Sequence, residues 1–325
     1  MRSPADAEGA AGRDPRTWLI ILSYEGRDQI GACLDSVRQQ HEPDGGVRCL
    51  VADNASRDGT AGLVRDRYPD FDLVENPRNL GFSAGNNAGI RLAMATGAEY
   101  VALLNMDCRV DPGWLRELVA VADAHPEAAL VGARIHTADG RLVEFDGRQF
   151  DPVTTAGGYA NRPPRPEPER ARSAAYACGA GVLMRLEALA KIGLFHESFF
   201  AYHEDVELSL RAQLCGYSVL NATGAVVHHR GGGAGMGPGF RGFMGLRNLS
   251  LTLAELYDGS SWRAHGPALA DLFLAGDSPE PLQSLCSALF HFPEALRARR
   301  RLKRLARRSY SEIAALHGAA AQPGE

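Results

Sequence analysis

The sequence predicts an α/β protein: a mostly parallel, Rossmann-like sheet with helices on both faces, a small antiparallel addition and a C-terminal helical extension. Three observations predict it. Short runs that are apolar on both faces alternate with helical periods over the first ~125 residues, the arrangement that builds a wound parallel sheet. Three strand runs end in polar clusters, at Asp53, Asn76 and Asp107, where open α/β sheets receive ligands. Later strands lack this regular alternation, and from Phe240 onward the pattern is helical.

The elements follow in order. Residues 1–16 are rich in Ala, Gly, Asp and Arg without period and read as disordered. Trp18–Tyr24 is a buried strand, followed by a helix from about Gln29 to Gln40 that buries Ile30, Leu34 and Val37. Cys49–Ala52 is a strand ending in Asp53-Asn54-Ala55-Ser56, and a second helix follows Thr60. Phe71–Val74 is a third strand, and Gly81–Asn87 leads into a helix through Ile90 and Met94. Tyr100–Leu104 is the central strand, closed by Asn105-Met106-Asp107, with Pro112 and Trp114 opening the next helix. Ala129–Ile135 is a strand, 141–151 a hairpin or small antiparallel addition, and the proline-rich 161–168 an exposed loop. Ala175–Gly181 reads as strand, Leu186–Ile192 as helix and Ala225–Arg230 as the last strand, placing Ala225, Val227 and His229 on one face. Gly231–Gly239 holds six glycines in nine residues, a linker or a lid.

Bulk properties bound the function. At 325 residues, with 45% hydrophobic and 23% charged content, the chain suits one large domain with an appendage or two modest ones. A net charge of -4 argues against a general nucleic-acid binder. The six cysteines show no C-x-x-C pair and read as free thiols in a reducing cytosol. With no apolar run near the ~20 residues that span a bilayer, a cytoplasmic location is expected. The segment 297–308 carries eight basic residues in twelve, with Leu302, Leu305 and Ala306 as a thin apolar stripe. That pattern suits peripheral contact with anionic lipid on the inner face of a membrane, or a solvated helix end.

Phe199–Tyr202 approaches a helix whose first turn carries Glu204, Asp205 and Glu207. Carboxylates there suit the helix dipole, and Glu207 with Arg211 has the spacing of an ordinary surface pair. Neighbouring rings and carboxylates raise a carboxylate's pKa while the helix terminus lowers it, which makes a general base plausible.

Taken together, Val51–Ser56 with Asp58-Gly59-Thr60, Asn79–Asn87, Leu103–Asp107, Gly193-Leu194-Phe195, Glu204–Leu208 with Arg211, His228-His229 and Arg247-Asn248 carry a family resemblance. Over residues 17–255 the chain resembles the inverting family-two glycosyltransferases of the GT-A fold, more narrowly their bacterial rhamnosyltransferase-like branch. The resemblance implies a transferase domain over 17–255, which leaves the disordered 1–16 before it and a C-terminal helical region over 256–325 with a basic tail after it. It further implies transfer of a sugar from a nucleotide-sugar donor, dTDP-rhamnose first with UDP- and GDP-sugars behind it. The acceptor would be a hydroxyl of a glycan, a lipid-linked precursor or a natural product. By position, Asp205 would be the base, with Glu204 the alternative. Asp53 would hold the nucleobase. Ser23, Tyr24, Glu25, Asn54, Asn79, Gly85, Asn86, Asn105 and Met106 would line the donor site, and Arg247 would neutralise the leaving diphosphate. Asp107 with His229, or less so His228, would bind Mg²⁺ or Mn²⁺. Asn105 stands where the family's D-x-D motif has its first Asp, which predicts weaker metal affinity.

Two other readings compete. A nucleotidyltransferase predicts a glycine-rich basic loop after the first strand, and Ser23–Arg27 is too poor in glycine. A non-catalytic nucleotide-sugar-binding scaffold predicts loss of Glu204 and Asp205, and both are present. A homodimer through residues 256–325 is compatible with the sequence.

Overall fold

A computed structural model describes residues 15–155, 160–231, 237–274 and 280–318. The expected disorder of 1–16 falls, but for its last two residues, outside these, as does the centre of the glycine run 231–239.

The first half is a wound parallel sheet. β1 (Thr17–Ser23), β2 (Val47–Asp53), β3 (Asp72–Glu75) and β4 (Tyr100–Asn105) alternate with α1 (Ile30–Arg38), α2 (Thr60–Arg67) and α3 (Gly81–Ala95). β1 lies between β2 and β4, parallel to both, and β3 is parallel to β2. Leu19, Ile20 and Ile21, and Val101 to Leu104, are buried whichever way they point, so both faces of this sheet are covered. The register sets Ser23 beside Asp53 and Leu22 beside Asn105, which aligns the strands' carboxyl ends along one edge.

The second half extends the sheet mainly with antiparallel pairings. β5 (Cys108–Val110) is followed by α4 (Trp114–Ala124), β6 (Ala128–Thr137), β7 (Val143–Phe145), β8 (Ala171–Ser173) and β9 (Gly181–Arg185). α5 (Leu186–Ile192), a single 3-10 turn, α6 (Glu204–Leu214) and β10 (Ser218–His229) complete it. The order is β3–β2–β1–β4–β9–β6–β10–β5, with β7 on β6 and β8 on β10. β7, antiparallel to β6, is the small addition expected over 141–151.

Two strand boundaries differ from expectation. Ala175–Gly181 is not a strand: its amides serve other partners, Ala177 N–H donating to Ser209 Oγ (3.1 Å) and Gly179 N–H to Asp205 Oδ2 (2.8 Å). The strand begins only at Gly181. β10 starts seven residues before the expected Ala225, because a register shift between Ala222 and Val226 absorbs Thr223 and Gly224 within one strand.

α7 (Pro238–Leu256), α8 (Gly259–Leu274), α9 (Glu280–Leu305) and α10 (Tyr310–Gly318) finish the chain. They share the main core, since Tyr257, Leu269, Leu302, Tyr310 and Ile313 pack within it. The Tyr257 and Tyr310 hydroxyls both donate to Pro152 O, at 2.6 and 2.8 Å. Leu302 is therefore core rather than part of an outward stripe. Among the described residues, no helix is long and apolar enough to cross a membrane.

Candidate active site

A cleft of about 380 Å³ opens at the carboxyl ends of β1, β2 and β4. Ser23 and Tyr24 line it from β1, Asn54 and Asn79 from the loops after β2 and β3, and Asn105, Met106 and Asp107 from the end of β4. Across the cleft stand Gly179, Tyr202 to Asp205, His229 and Arg241. The parallel register brings the first group together, and the β5–β10 hairpin-like pairing brings His229 to it by setting His229 opposite Cys108.

Asp107 Oδ2 lies 3.3 Å from His229 Nε2, and the other ring nitrogen, Nδ1, lies 3.2 Å from Glu144 Oε2. Burial lowers the His229 pKa, but the carboxylates on either side outweigh it and raise the pKa above the usual histidine value. Ligand atoms of Asp107, Cys108 and His229 all lie within 4.8 Å of one another. Burial holds the Cys108 thiol protonated, far above its usual pKa, which leaves a carboxylate oxygen and an imidazole nitrogen as donors. That pair fits Mn²⁺ or Mg²⁺ completed by diphosphate oxygens and water. Glu144 behind the imidazole stands where a second partner would fix the orientation of such a histidine. His228 instead turns its Nε2 to Asp111, 2.9 Å away.

The second carboxylate group sits on the N-terminus of α6. The turn before it is strained: Phe200, Tyr202 and His203 have φ of 62, 70 and 73°, a region non-glycine residues avoid. Its supports come from several elements. Phe200 O accepts from Ser83 N–H (3.1 Å), and the Asn248 side-chain amide donates to the carbonyls of Phe199, Ala201 and Tyr202 at 2.9, 3.0 and 2.7 Å. Gly81, at φ 76°, meets this turn so closely that a Cβ would lie 2.5 Å from Phe200 O, so only glycine fits. His203 Nε2 pairs with Thr155 Oγ1 at 2.8 Å, and burial pushes its pKa down to about 4.

The two leading carboxylates are not equivalent. Asp205 accepts backbone N–H bonds from Gly179 and Val206, both at 2.8 Å. Burial raises its pKa, and those bonds oppose the rise. Glu204 is buried with Oε2 unpartnered, and burial plus the adjacent Asp205 charge hold it well above the carboxylate range. Asp205 is thus the better ionised of the two at neutral pH. Glu207 is no surface acid: it is fully buried and clamped bidentately by Arg211, at 2.8 and 2.7 Å. Arg211 in turn donates to Ile192 O and Leu194 O, which ties α6 to α5. His196 approaches Glu207 at 3.6 Å and Glu255 at 2.9 Å, and these carboxylates outweigh burial to raise its pKa to about 9.

Five expected donor residues do not line the cleft. Asp53 accepts from Ser23 Oγ, Ser56 N–H and Ser56 Oγ within 2.9 Å, so it braces the β1 and β2 ends. Glu25 turns to the Arg57 backbone amide (2.9 Å). Gly85 lies within α3, where a Cβ would come 2.6 Å from Leu22, and Asn86 donates to Phe82 O in the same helix. Arg247 is buried, donating to Ser198 O (2.6 Å) and Asn248 Oδ1 (3.1 Å), because α7 carries it under the strained turn rather than over the cleft. The cation that does line the cleft is Arg241, its guanidinium 5.6 Å from the Tyr202 ring centroid. Nothing local in the sequence marks Arg241 or Glu144: the one follows a glycine run with no period, and the other sits in a strand of only three residues.

The family model described as Glycosyl transferase family 2 matches residues 18–193, more than half of the chain. N-acetylglucosaminyl-diphospho-decaprenol L-rhamnosyltransferase of Mycobacterium tuberculosis is 29% identical over 241 residues, covering 67% of this chain and 78% of that protein. O-antigen biosynthesis protein RfbC of Myxococcus xanthus is 28% identical over 235 residues, covering 66% of this chain and 17% of that protein. Among solved structures, GalNAc-T7 with UDP, GalNAc and Mn²⁺ superposes with a TM-score of 0.69 at 14% identity, over 93% of this chain and 57% of that one. S. aureus TarS residues 1–349 with UDP gives 0.58 at 16% identity, over 94% and 86% of the two chains. These likenesses are of fold, which is GT-A.

Proposed function

Since the chain belongs to glycosyl transferase family 2, we propose that this glycosyltransferase moves a sugar, with inversion, from a nucleoside-diphosphate sugar to an acceptor hydroxyl. The observation that carries the reading is the convergence of two differently built carboxylates on one cleft: Asp107 paired with His229, and Asp205 anchored by Gly179. The donor's diphosphate belongs beside the first and the acceptor hydroxyl beside the second. The acceptor oxygen attacks the anomeric carbon as the bond from that carbon to the phosphate oxygen breaks. Asp205 takes the hydroxyl proton, and the nucleoside diphosphate leaves with the bonding pair.

A single displacement needs one ionised carboxylate opposite the leaving group, and the contrast between Asp205, which accepts two backbone N–H bonds, and Glu204, whose pKa burial and the Asp205 charge push up further, supports that assignment. Arg241 stands where positive charge offsets the departing diphosphate, the role expected of Arg247. Asp107 and His229 would hold Mn²⁺ or Mg²⁺, which supplies further charge to the same group. The mycobacterial relative, an L-rhamnosyltransferase by name that acts on N-acetylglucosaminyl-diphospho-decaprenol, supports rhamnose as the sugar and a lipid-linked glycan as acceptor, with dTDP the nucleotide expected from the sequence.

Donor binding tests this by thermal shift with dTDP-, UDP- and GDP-sugars, each with Mn²⁺, Mg²⁺ or EDTA. One nucleotide should raise the melting temperature in a metal-dependent way, since a ligand at a hundredfold its Kd stabilises by about 2.7 kcal/mol. Asp107→Ala should lose that shift, and Asp205→Asn should keep it while losing transfer. Absence of any shift across all three nucleotides overturns the reading.

A further inference from the structure

Over residues 281–296, α9 is amphipathic in an unusual sense: the side chains it buries are small, and its large ones are exposed. Ala288 and Ala295 pack against Leu251, Ala254 and Phe199 in a satellite core, and Ser284 Oγ donates to Phe243 O at 3.0 Å. An adjacent side of the helix, about a quarter-turn or more round from this one, carries Leu282, Leu285, Leu289, Phe292 and Leu296, spaced three and four apart on one stripe roughly 21 Å long. Leu282 and Leu289 are 68% and 61% exposed, and Phe290, further round the exposed side of the helix, is 86% exposed. A lone exposed leucine needs no explanation, but a continuous stripe does.

The same face continues into charge. Of the eight basic residues in 297–308, three are used within the protein: Arg299 donates to Ala254 O and Glu255 O, Arg301 to Lys191 O, and Arg307 packs along Gly216. Arg300, Lys303 and Arg304 are exposed, follow the leucine stripe on its own side of the helix, and have no ion-pair partner among the described residues. The helix's two carboxylates are Glu280, at its first position, and Glu294, half-buried on another side, so the exposed stripe itself bears none.

We propose that this face of α9 docks on an anionic lipid bilayer, with the Leu282–Leu296 stripe and Phe290 entering the acyl boundary and Arg300, Lys303 and Arg304 lying at the phosphates. Charge complementarity selects this occupant. An acidic peptide would meet the basic end and leave four turns of leucine and phenylalanine in water, whereas a bilayer interface offers hydrocarbon and phosphate side by side. Apolar burial gives the affinity, and the three cations make it selective for negatively charged lipid. The assignment is independent of the transfer reaction.

The test is co-sedimentation of the full chain with phosphatidylcholine vesicles, with and without phosphatidylglycerol, at low and high salt. The wild-type chain should bind the anionic vesicles, more weakly as salt rises. Leu282→Ser/Leu289→Ser/Phe290→Ser changes only exposed side chains and should abolish binding at every salt concentration. Arg300→Gln/Lys303→Gln/Arg304→Gln should weaken binding to anionic vesicles about a hundredfold at low salt and leave neutral vesicles unaffected. Melting temperature and donor binding unchanged in both variants show that the fold is intact. Wild-type binding by the leucine variant, or no binding by the wild-type chain, overturns the proposal. So does a concentration-dependent dimer, lost in the leucine variant and seen without vesicle binding, which would make this face a contact between copies.

Discussion

Asp205 and Glu204 are neighbours in sequence with different surroundings, and a cleft-facing backbone amide separates them. Gly179 N–H holds Asp205, while among the described residues nothing holds Glu204 Oε2. A base works in its ionised form, and burial raises the Asp205 pKa. The rate of transfer should therefore fall, as pH drops, through a midpoint above the ordinary aspartate value. A pH profile of kcat/KM measures that limb, and a limb at or below the usual value would remove Asp205 from the role. Asp205→Asn should cost about 10²–10⁴-fold in kcat. Much of this site was legible in the sequence, because Asp107, His229 and Asp205 stand at strand and helix ends where chemistry-bearing groups cluster. Arg241 was not legible, nor was the burial of Arg247: six residues of helix decide which arginine meets the cleft, and periodicity alone does not fix where α7 lies.

At the scale of elements, the turn before α6 is held by α7. Asn248 donates to three of its carbonyls, and Arg247 to a fourth, at Ser198. Asn248 is a positioning residue. Asn248→Ala should lower stability by about 1–3 kcal/mol through unsatisfied buried carbonyls, and lower kcat while the donor's KM stays near its original value. Loss of both parameters in proportion would point to simple unfolding, which a melting curve at the assay temperature distinguishes. In the wound half β1 and β4 were readable from doubly apolar runs, while β2 and the exposed edge strand β3 were marked chiefly by the polar clusters that end them. The antiparallel half was not readable in this way, for identifiable reasons. β5 and β8 have three residues each, too few for a pattern, and the buried run Ala174-Ala175-Tyr176-Ala177 imitates a strand while its backbone serves α6 and β10. Thr223-Gly224 imitates a turn where there is only a bulge.

For the whole molecule, buried titratable groups set a window of stability. His203 and His317 are driven by burial to about 4 from an ordinary 6.5. The unfolded chain therefore takes up their protons first, and stability is lost as pH falls from 6.5 toward 4. Glu207, at about 2 against an ordinary 4.5 because Arg211 and His196 outweigh its burial, adds a loss at still lower pH. His196 acts on the other side: its stabilisation is complete below 6.5 and disappears as pH rises through about 9. The melting temperature should peak near neutrality, and His196→Gln should flatten its alkaline descent. An unchanged descent in that variant would show that another group governs it.

The order in which the chain leaves the ribosome gives the link between the strained turn and the C-terminal helices a temporal meaning. Residues 200–205 are synthesised well before Asn248, which holds the turn, and before Tyr310, whose hydroxyl fixes Pro152 three residues from the Thr155 that contacts His203. Domains begin to fold while synthesis continues, so the sheet and its cleft can assemble with the reacting turn still loose. Only when Tyr310 has emerged are all its restraints in place. A nascent chain that stops short of Asn248 would thus carry the sheet's cleft without a fixed turn to position the proposed base.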